Sequence, residues 1–124
     1  MNLLEHLNIQ TKKVTPEEVI LSLEVTPIHH QPYGVMHGGM NGVLIETACS
    51  IGANTQLIDS YAVGVDLQVR HFAAVSQGTL TVIATPDKIG GRLQFWQATI
   101  WSNDKKIAAG TCTLMVNQIK TEPK

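Results

Sequence analysis

Only one stretch of this 124-residue chain repeats with the period of a long helix, and beyond it the pattern turns to alternation. Across residues 39–55 the apolar side chains Met40, Val43, Leu44, Ile45, Ala48, Cys49, Ile51 and Ala53 lie nearly all round a helix axis, which predicts a helix buried on most sides. The small residues Gly42, Ala48, Ser50, Gly52 and Ala53 let a layer of strands approach it closely. Beyond Asp59 and Ser60 the helical period vanishes, and four strand-like runs succeed it at about 61–72, 77–87, 92–102 and 106–118. Turn signals separate them, and such short connections predict an antiparallel meander. Ahead of the helix, Val19, Leu21, Leu23 and Val25 alternate with Ile20, Ser22, Glu24 and Thr26, which predicts a hairpin over about 10–26. Residues 2–8 suit a short amphipathic helix lying against the body, and 120–124 read as a frayed tail. The class is α+β, an antiparallel sheet wrapped around one long central helix.

A chain of this length is expected to be one domain, 1–124, with a core that needs neither a disulfide nor a structural metal. The net charge is −1 and 15% of residues are charged, which excludes the basic footprint of a nucleic-acid binder and a polybasic membrane patch. The expected partner is a small molecule or another protein chain. A hydrophobic share of 44% with so few charges predicts apolar surface that a subunit interface would cover. No charged segment followed by an apolar one opens the sequence, and no apolar run reaches the ~18 residues of a membrane span, so a cytoplasmic protein is expected. Cys49 and Cys112 lack C-x-x-C spacing and read as buried free thiols. His29, His30, His37 and His71 have no metal-site spacing, and no metal is expected.

Between hairpin and helix lies a segment of another kind. Residues 27–37 combine Pro27, Pro32 and Gly34 with three histidines, a composition for an ordered loop. The loop leads through His37, Gly38 and Gly39 into the helix start, where unpaired N–H groups and the helix dipole favour negative charge. A backbone N–H at Gly38 can polarise a carbonyl and hold a developing oxyanion, and glycine lets a substrate reach the main chain. Glu46 is the only carboxylate within the apolar helix, hence the candidate nucleophile or general base. Plainer roles stand beside these: Glu46 at a rim or paired with a cation, His37 capping the loop, Gln31 bracing a turn. With no G-x-S-x-G elbow, Walker loop or G-x-G-x-x-G, hydrolysis here would run on a carboxylate and call for no cofactor.

Gln31-Pro, Gly34, His37-Gly-Gly39, Glu46, the run Gly64 to His71, Gly78 and Gly91-Arg92 together resemble the hotdog-fold acyl-CoA thioesterases, over nearly the whole chain. Within them the chain is similar to the aromatic acyl-CoA branch, that of 1,4-dihydroxy-2-naphthoyl-CoA hydrolases of menaquinone or phylloquinone synthesis and of the proofreading thioesterases of siderophore assembly. The resemblance implies that Gly38 and Glu46 act on the thioester, with Gln31 and His37 on the carbonyl and leaving-group side and Ser50 holding the nucleophile. It also places the segment of Arg70 and His71 along the pantetheine and nucleotide channel. Gly39 is a further substrate-binding candidate, and Tyr33 and Phe72, among the few aromatic residues of the chain, flank the motifs and are candidates to line the acyl pocket. Arg70, Lys88, Gly90, Gly91 and Arg92 are available to the phosphates of coenzyme A, the Gly90-Gly91 pair before Arg92 as a small anion nest, and a solvent-exposed turn accounts for the same residues equally well. A non-catalytic acyl-CoA-binding module and a dehydratase acting on hydroxyacyl thioesters are the competing readings.

Spacing adds one requirement. Gly38 and Glu46 stand eight residues apart, about 12 Å along a single helix. One carboxylate cannot cover that distance and touch a carbonyl held at the helix start. If both residues act on one thioester, they come from two antiparallel helices of two subunits, so a dimer with shared sites is expected. The family resemblance implies further association into a tetramer.

Overall fold

The computed structural model describes residues 1–119. The elements run α1 (Leu3–His6), β1 (Gln10–Val14), β2 (Val19–Val25), a 3-10 turn (Pro27–His29), α2 (Gly38–Asn54), β3 (Ser60–His71), β4 (Gly78–Ile89), β5 (Leu93–Ser102) and β6 (Lys105–Gln118). The expected tail at 120–124 lies outside the described residues.

All six strands join one antiparallel sheet in the order β1-β2-β4-β5-β6-β3. The hairpin at 10–26 forms as β1 and β2. The four later runs are not a simple meander, however: β4, β5 and β6 are, but β3 pairs with β6 at the far edge and β4 with β2. The cause lies in residues 72–77. Phe72 and Ala73 still donate to the carbonyl of Ile107, at 2.8 and 3.2 Å, which carries the chain past the end of β3 instead of turning it back. Met36 then donates to the carbonyl of Val75 at 2.7 Å, so the link passes over the start of α2.

α2 lies against one face of the sheet. Leu44, Ile45, Ala48 and Cys49 are fully buried, as are Leu21, Leu23, Leu80, Val82, Trp96 and Leu114 of the strands. The helix is less enclosed than its apolar residues suggest, because a single sheet covers a single side. Val43, Glu46, Thr47, Ser50 and Ile51 remain half-buried on the opposite face, beside Leu3 and Leu4 of α1.

The closest approach of helix and sheet is at Gly52. A Cβ there would fall inside the contact envelope of the Trp96 ring, which is itself locked by its indole N–H donating to Gln94 Oε1 at 2.9 Å. Gln94 Nε2 in turn donates to the carbonyl of Ala53 at 3.1 Å. Gly52→Ala is therefore expected to destabilise the fold by about 1–3 kcal/mol, as overpacking of a rigid site does. Urea unfolding followed by tryptophan fluorescence measures this; an unchanged midpoint would mean that the ring has room to move.

Cys49 and Cys112 are free and buried, as expected. Burial raises both thiols, Cys112 to about 11 with further repulsion from Glu46 and Asp66, and Cys49 beyond that. Both stay protonated at neutral pH, so in the folded protein they are expected to react slowly with a disulfide reagent.

Candidate active site

The loop before α2 is fixed by its histidines. His29 is buried; its Nδ1 accepts from the backbone N–H of Thr26 at 3.0 Å, so its Nε2 carries the proton and donates to the carbonyl of Leu7 at 2.7 Å. His30 Nε2 bonds the carbonyl of Ser76 at 2.8 Å. Between them these rings tie the loop to α1 and to the β3–β4 link. Gln31 braces the turn with its Oε1, which accepts from the backbone N–H of Tyr33, and its Nε2 donors are not used there. Tyr33 itself is almost fully exposed.

His37 is the N-cap of α2. Its Nδ1 accepts from the N–H of Gly39 at 2.7 Å, and its carbonyl accepts from the N–H of Met40 at 2.9 Å. Of the first three helix donors, only Gly38 N–H is left over. A cavity of about 330 Å³ opens beside it, lined by Gly38, Asn41, His71, Phe72 and Val75 among others. The imidazole of His71 lies over Gly38 so closely that a Cβ on Gly38 would sit 3.2 Å from its Cε1.

Glu46 and Ser50 lie one turn apart in a second, more apolar cavity of about 440 Å³, shared with Leu3, Leu4, Val43 and Ile51. The Glu46 carboxylate rests on the backbone of β3 at Gly64, where a Cβ would stand 2.5 Å from Oε2. The strand bulges here, with a shift in register between Gly64 and Asp66. A strand glycine beside a bulge is a known device for letting another group come close. In this fold it seats a carboxylate.

The sheet register places the remaining candidates. His71 and Phe72 border the Gly38 cavity. Arg70 points the other way, into a polar groove on the outer face of the sheet with Gln68, Gln97 and Lys106. Gly91 and Arg92 lie in the β4–β5 turn, where the carbonyl of Arg92 accepts from Val116 N–H, while His71 pairs with Ala108 near the other end of β6. Within the chain, then, the structure brings Gly38, Gly39, His37, His71 and Phe72 together. Glu46 and Ser50 form a separate group, and Gly91 and Arg92 stand apart from both.

The profile of the Thioesterase superfamily matches residues 33–109, which run from the loop through both cavities to β6. The chain belongs to the thioesterase superfamily. It is 33% identical over 120 residues to a 1,4-dihydroxy-2-naphthoyl-CoA hydrolase of Listeria monocytogenes, spanning 95% of this chain and 98% of that protein. A Vibrio cholerae protein that carries the name esterase is 40% identical over 99 residues; the match spans 79% of this chain and 66% of the relative. A crystal structure of a thioesterase from Haemophilus influenzae superposes with a TM-score of 0.90 at 29% identity, over 96% of this chain and 85% of that one.

The chain is therefore a hotdog-fold thioesterase, a thioester hydrolase. Sequence reasoning passed over two residues of this thioesterase that shape its cavities. Asn41 is buried and its Nδ2 donates to His71 Nδ1 at 2.9 Å. It was detectable as the one polar side chain in the buried helix stripe that also holds Ile45, Ala48 and Gly52. Gly64 stands out in the sequence only as part of a motif, yet it is the seat of Glu46.

Proposed function

We propose that this thioesterase hydrolyses an aromatic acyl-CoA, of the 1,4-dihydroxy-2-naphthoyl-CoA type, to the free acid and coenzyme A. The observation that carries the reading is the single unclaimed N–H at the start of α2, that of Gly38, in an enzyme whose long helix also offers one seated carboxylate. The thioester oxygen accepts from Gly38 N–H, with the helix dipole behind it. Glu46 either attacks the carbonyl carbon, giving an anhydride that water then hydrolyses to the free acid and the regenerated carboxylate, or takes a proton from the water that attacks. Either way the C–S bond breaks, and the proton given up by that water ends on coenzyme A, which leaves as the thiol. Ser50, one turn on, orients the nucleophile. Gln31 and His37 face the carbonyl and leaving group, each with an N–H donor free because Oε1 and Nδ1 are already engaged. Gly39, His71 and Phe72 line the path of the substrate, with Tyr33 at its edge.

The site is shared between two copies of the chain. Gly38 and Glu46 border different cavities of one subunit, so the partner subunit's Glu46 completes the site around Gly38. β3 is the fitting surface: a twelve-residue edge strand with Tyr61, Val63 and Val65 all more than 40% exposed. Long apolar edges of this kind are normally covered by another strand. Pairing there makes a dimer, and dimers associate further into a tetramer. Arg70, Gly91 and Arg92, remote from the cavity in one subunit, meet the nucleotide end of coenzyme A only in that assembly. The 124 residues form one catalytic domain, working in the cytoplasm on a quinone-pathway intermediate. No described helix is long and apolar enough to cross a membrane. The 33% identity to the Listeria monocytogenes hydrolase supports the aromatic substrate.

A thiol-release assay on 1,4-dihydroxy-2-naphthoyl-, benzoyl-, phenylacetyl- and medium-chain fatty acyl-CoA tests this. Release is expected to be fastest from an aromatic ester. Preference for the fatty ester would overturn the substrate, and silence on all four would favour an acyl-CoA binder. Dehydration would instead leave the thioester intact and form a double bond in a hydroxyacyl ester.

A further inference from the structure

Asn41 is 3% exposed, and its side-chain oxygen is the one buried side-chain polar atom among the described residues without a hydrogen-bond partner. Its amide nitrogen lies 2.9 Å from His71 Nδ1, and both residues line the cavity beside Gly38. Two arrangements are open to such a pair, since amide and ring can each be turned. In one, Asn41 donates N–H to an unprotonated Nδ1 and leaves a carbonyl oxygen without a partner. In the other, His71 donates from Nδ1 to the amide oxygen and leaves an NH₂ with two buried donors unpaired. A buried carbonyl with nothing to accept is tolerated better than buried N–H groups with nowhere to donate. The first arrangement therefore holds.

This fixes the chemistry of the ring. With Nδ1 accepting, the proton of neutral His71 sits on Nε2. The ring presents its Cε1 edge to Gly38, where a built Cβ would lie 3.2 Å from Cε1, 3.5 Å from Nε2 and 3.7 Å from Nδ1. With Nδ1 turned to Asn41, Nε2 is the ring nitrogen left to face the cavity that both residues line. Two N–H donors, one backbone and one imidazole, thus border the same cavity. We propose that Asn41 is a positioning residue, holding His71 in the Nε2–H tautomer so that His71 donates to a carbonyl oxygen of the acyl-pantetheine bound beside Gly38. The destination of that hydrogen bond rests on the thioesterase reading above, whereas the tautomer does not.

The test begins with nitrogen-15 spectra of the intact wild-type protein. A through-hydrogen-bond nitrogen–nitrogen coupling between Asn41 Nδ2 and His71 Nδ1 is expected, with the ring proton on Nε2; a proton on Nδ1 would overturn the proposal whatever the activity. Asn41→Asp then exchanges the donor for an acceptor of the same shape. It is expected to move the ring proton from Nε2 to Nδ1 and to lower kcat/KM about tenfold, the effect of one misdirected hydrogen bond. A ring proton moved from Nε2 to Nδ1 with no change in kcat/KM would remove the role in positioning, as would a lowered kcat/KM in a ring that still carries its proton on Nε2. Failure of the wild-type enzyme to cleave any ester would instead strike the proposed function and leave the coupling in place.

Discussion

Replacing Glu46 with glutamine is expected to lower kcat by about 10²–10⁴-fold, the range for a positioned acid–base group, while acyl-CoA binding and the fold survive. The amide keeps the shape of the side chain and removes only its charge and basicity. No second carboxylate of α2 is available to take over, because Glu46 is the only acidic residue on the helix. The groove around it is lined by Leu3, Leu4, Val43 and Ile51, none of which can accept a proton. Gly64→Ala provides a companion test that spares the carboxylate itself. The added Cβ would stand 2.5 Å from Oε2, so it must displace Glu46 from β3, and turnover should fall although every chemical group is retained. Both variants are measured by thiol release, with acyl-CoA binding followed by calorimetry. Because Cys49 and Cys112 are buried and protonated, the assay reads coenzyme A and little of the protein. A fully active Glu46→Gln enzyme would end the carboxylate mechanism.

The second large effect concerns subunits. Lysines in place of Val63 and Val65 on the β3 edge should repel a second copy and yield a folded monomer, and that monomer should release less than about 1% of the wild-type thiol, as a site missing its carboxylate would. Complementation gives the sharper result. Gly38→Val occludes one half of the site and Glu46→Gln disables the other, so each variant alone is inactive. Co-expressed, half of the dimers are mixed, and each mixed dimer contains one site built from the intact Gly38 of one chain and the intact Glu46 of the other. Recovery of about a quarter of wild-type activity is expected from random pairing. No recovery would place both groups in the same subunit, against the ~12 Å that separates them along α2.

The local elements were legible because each has a clear period. Alternation over 19–25 becomes β2, and the apolar run becomes α2 with His37 as its cap, one residue from the expected start. The position of β3 was not legible. Nothing in its own residues tells whether β4 or β6 lies beside it; that choice is made by the 72–77 link and its bonds to Ile107. The same distinction holds in the site. Gly38 and Glu46 stand out by composition, whereas the value of Asn41 and Gly64 depends on contacts across 30 and 18 residues of sequence. His37 shows both sides: capping is the plain role its position suggests, and the observed bond to Gly39 fills that role with one nitrogen only.

The edge position of β3 also sets an order of events during synthesis. β3 carries Gly64 and His71, yet the one strand it pairs with among the described residues is β6, the last of them in chain order. At about 5–20 residues per second, some seconds pass in which residues 60–71 have left the ribosome and their partner at 105–118 has not. Throughout that interval this strand has two open edges and carries Tyr61, Val63 and Val65, so pairing with the wrong strand is open to it until β6 is made.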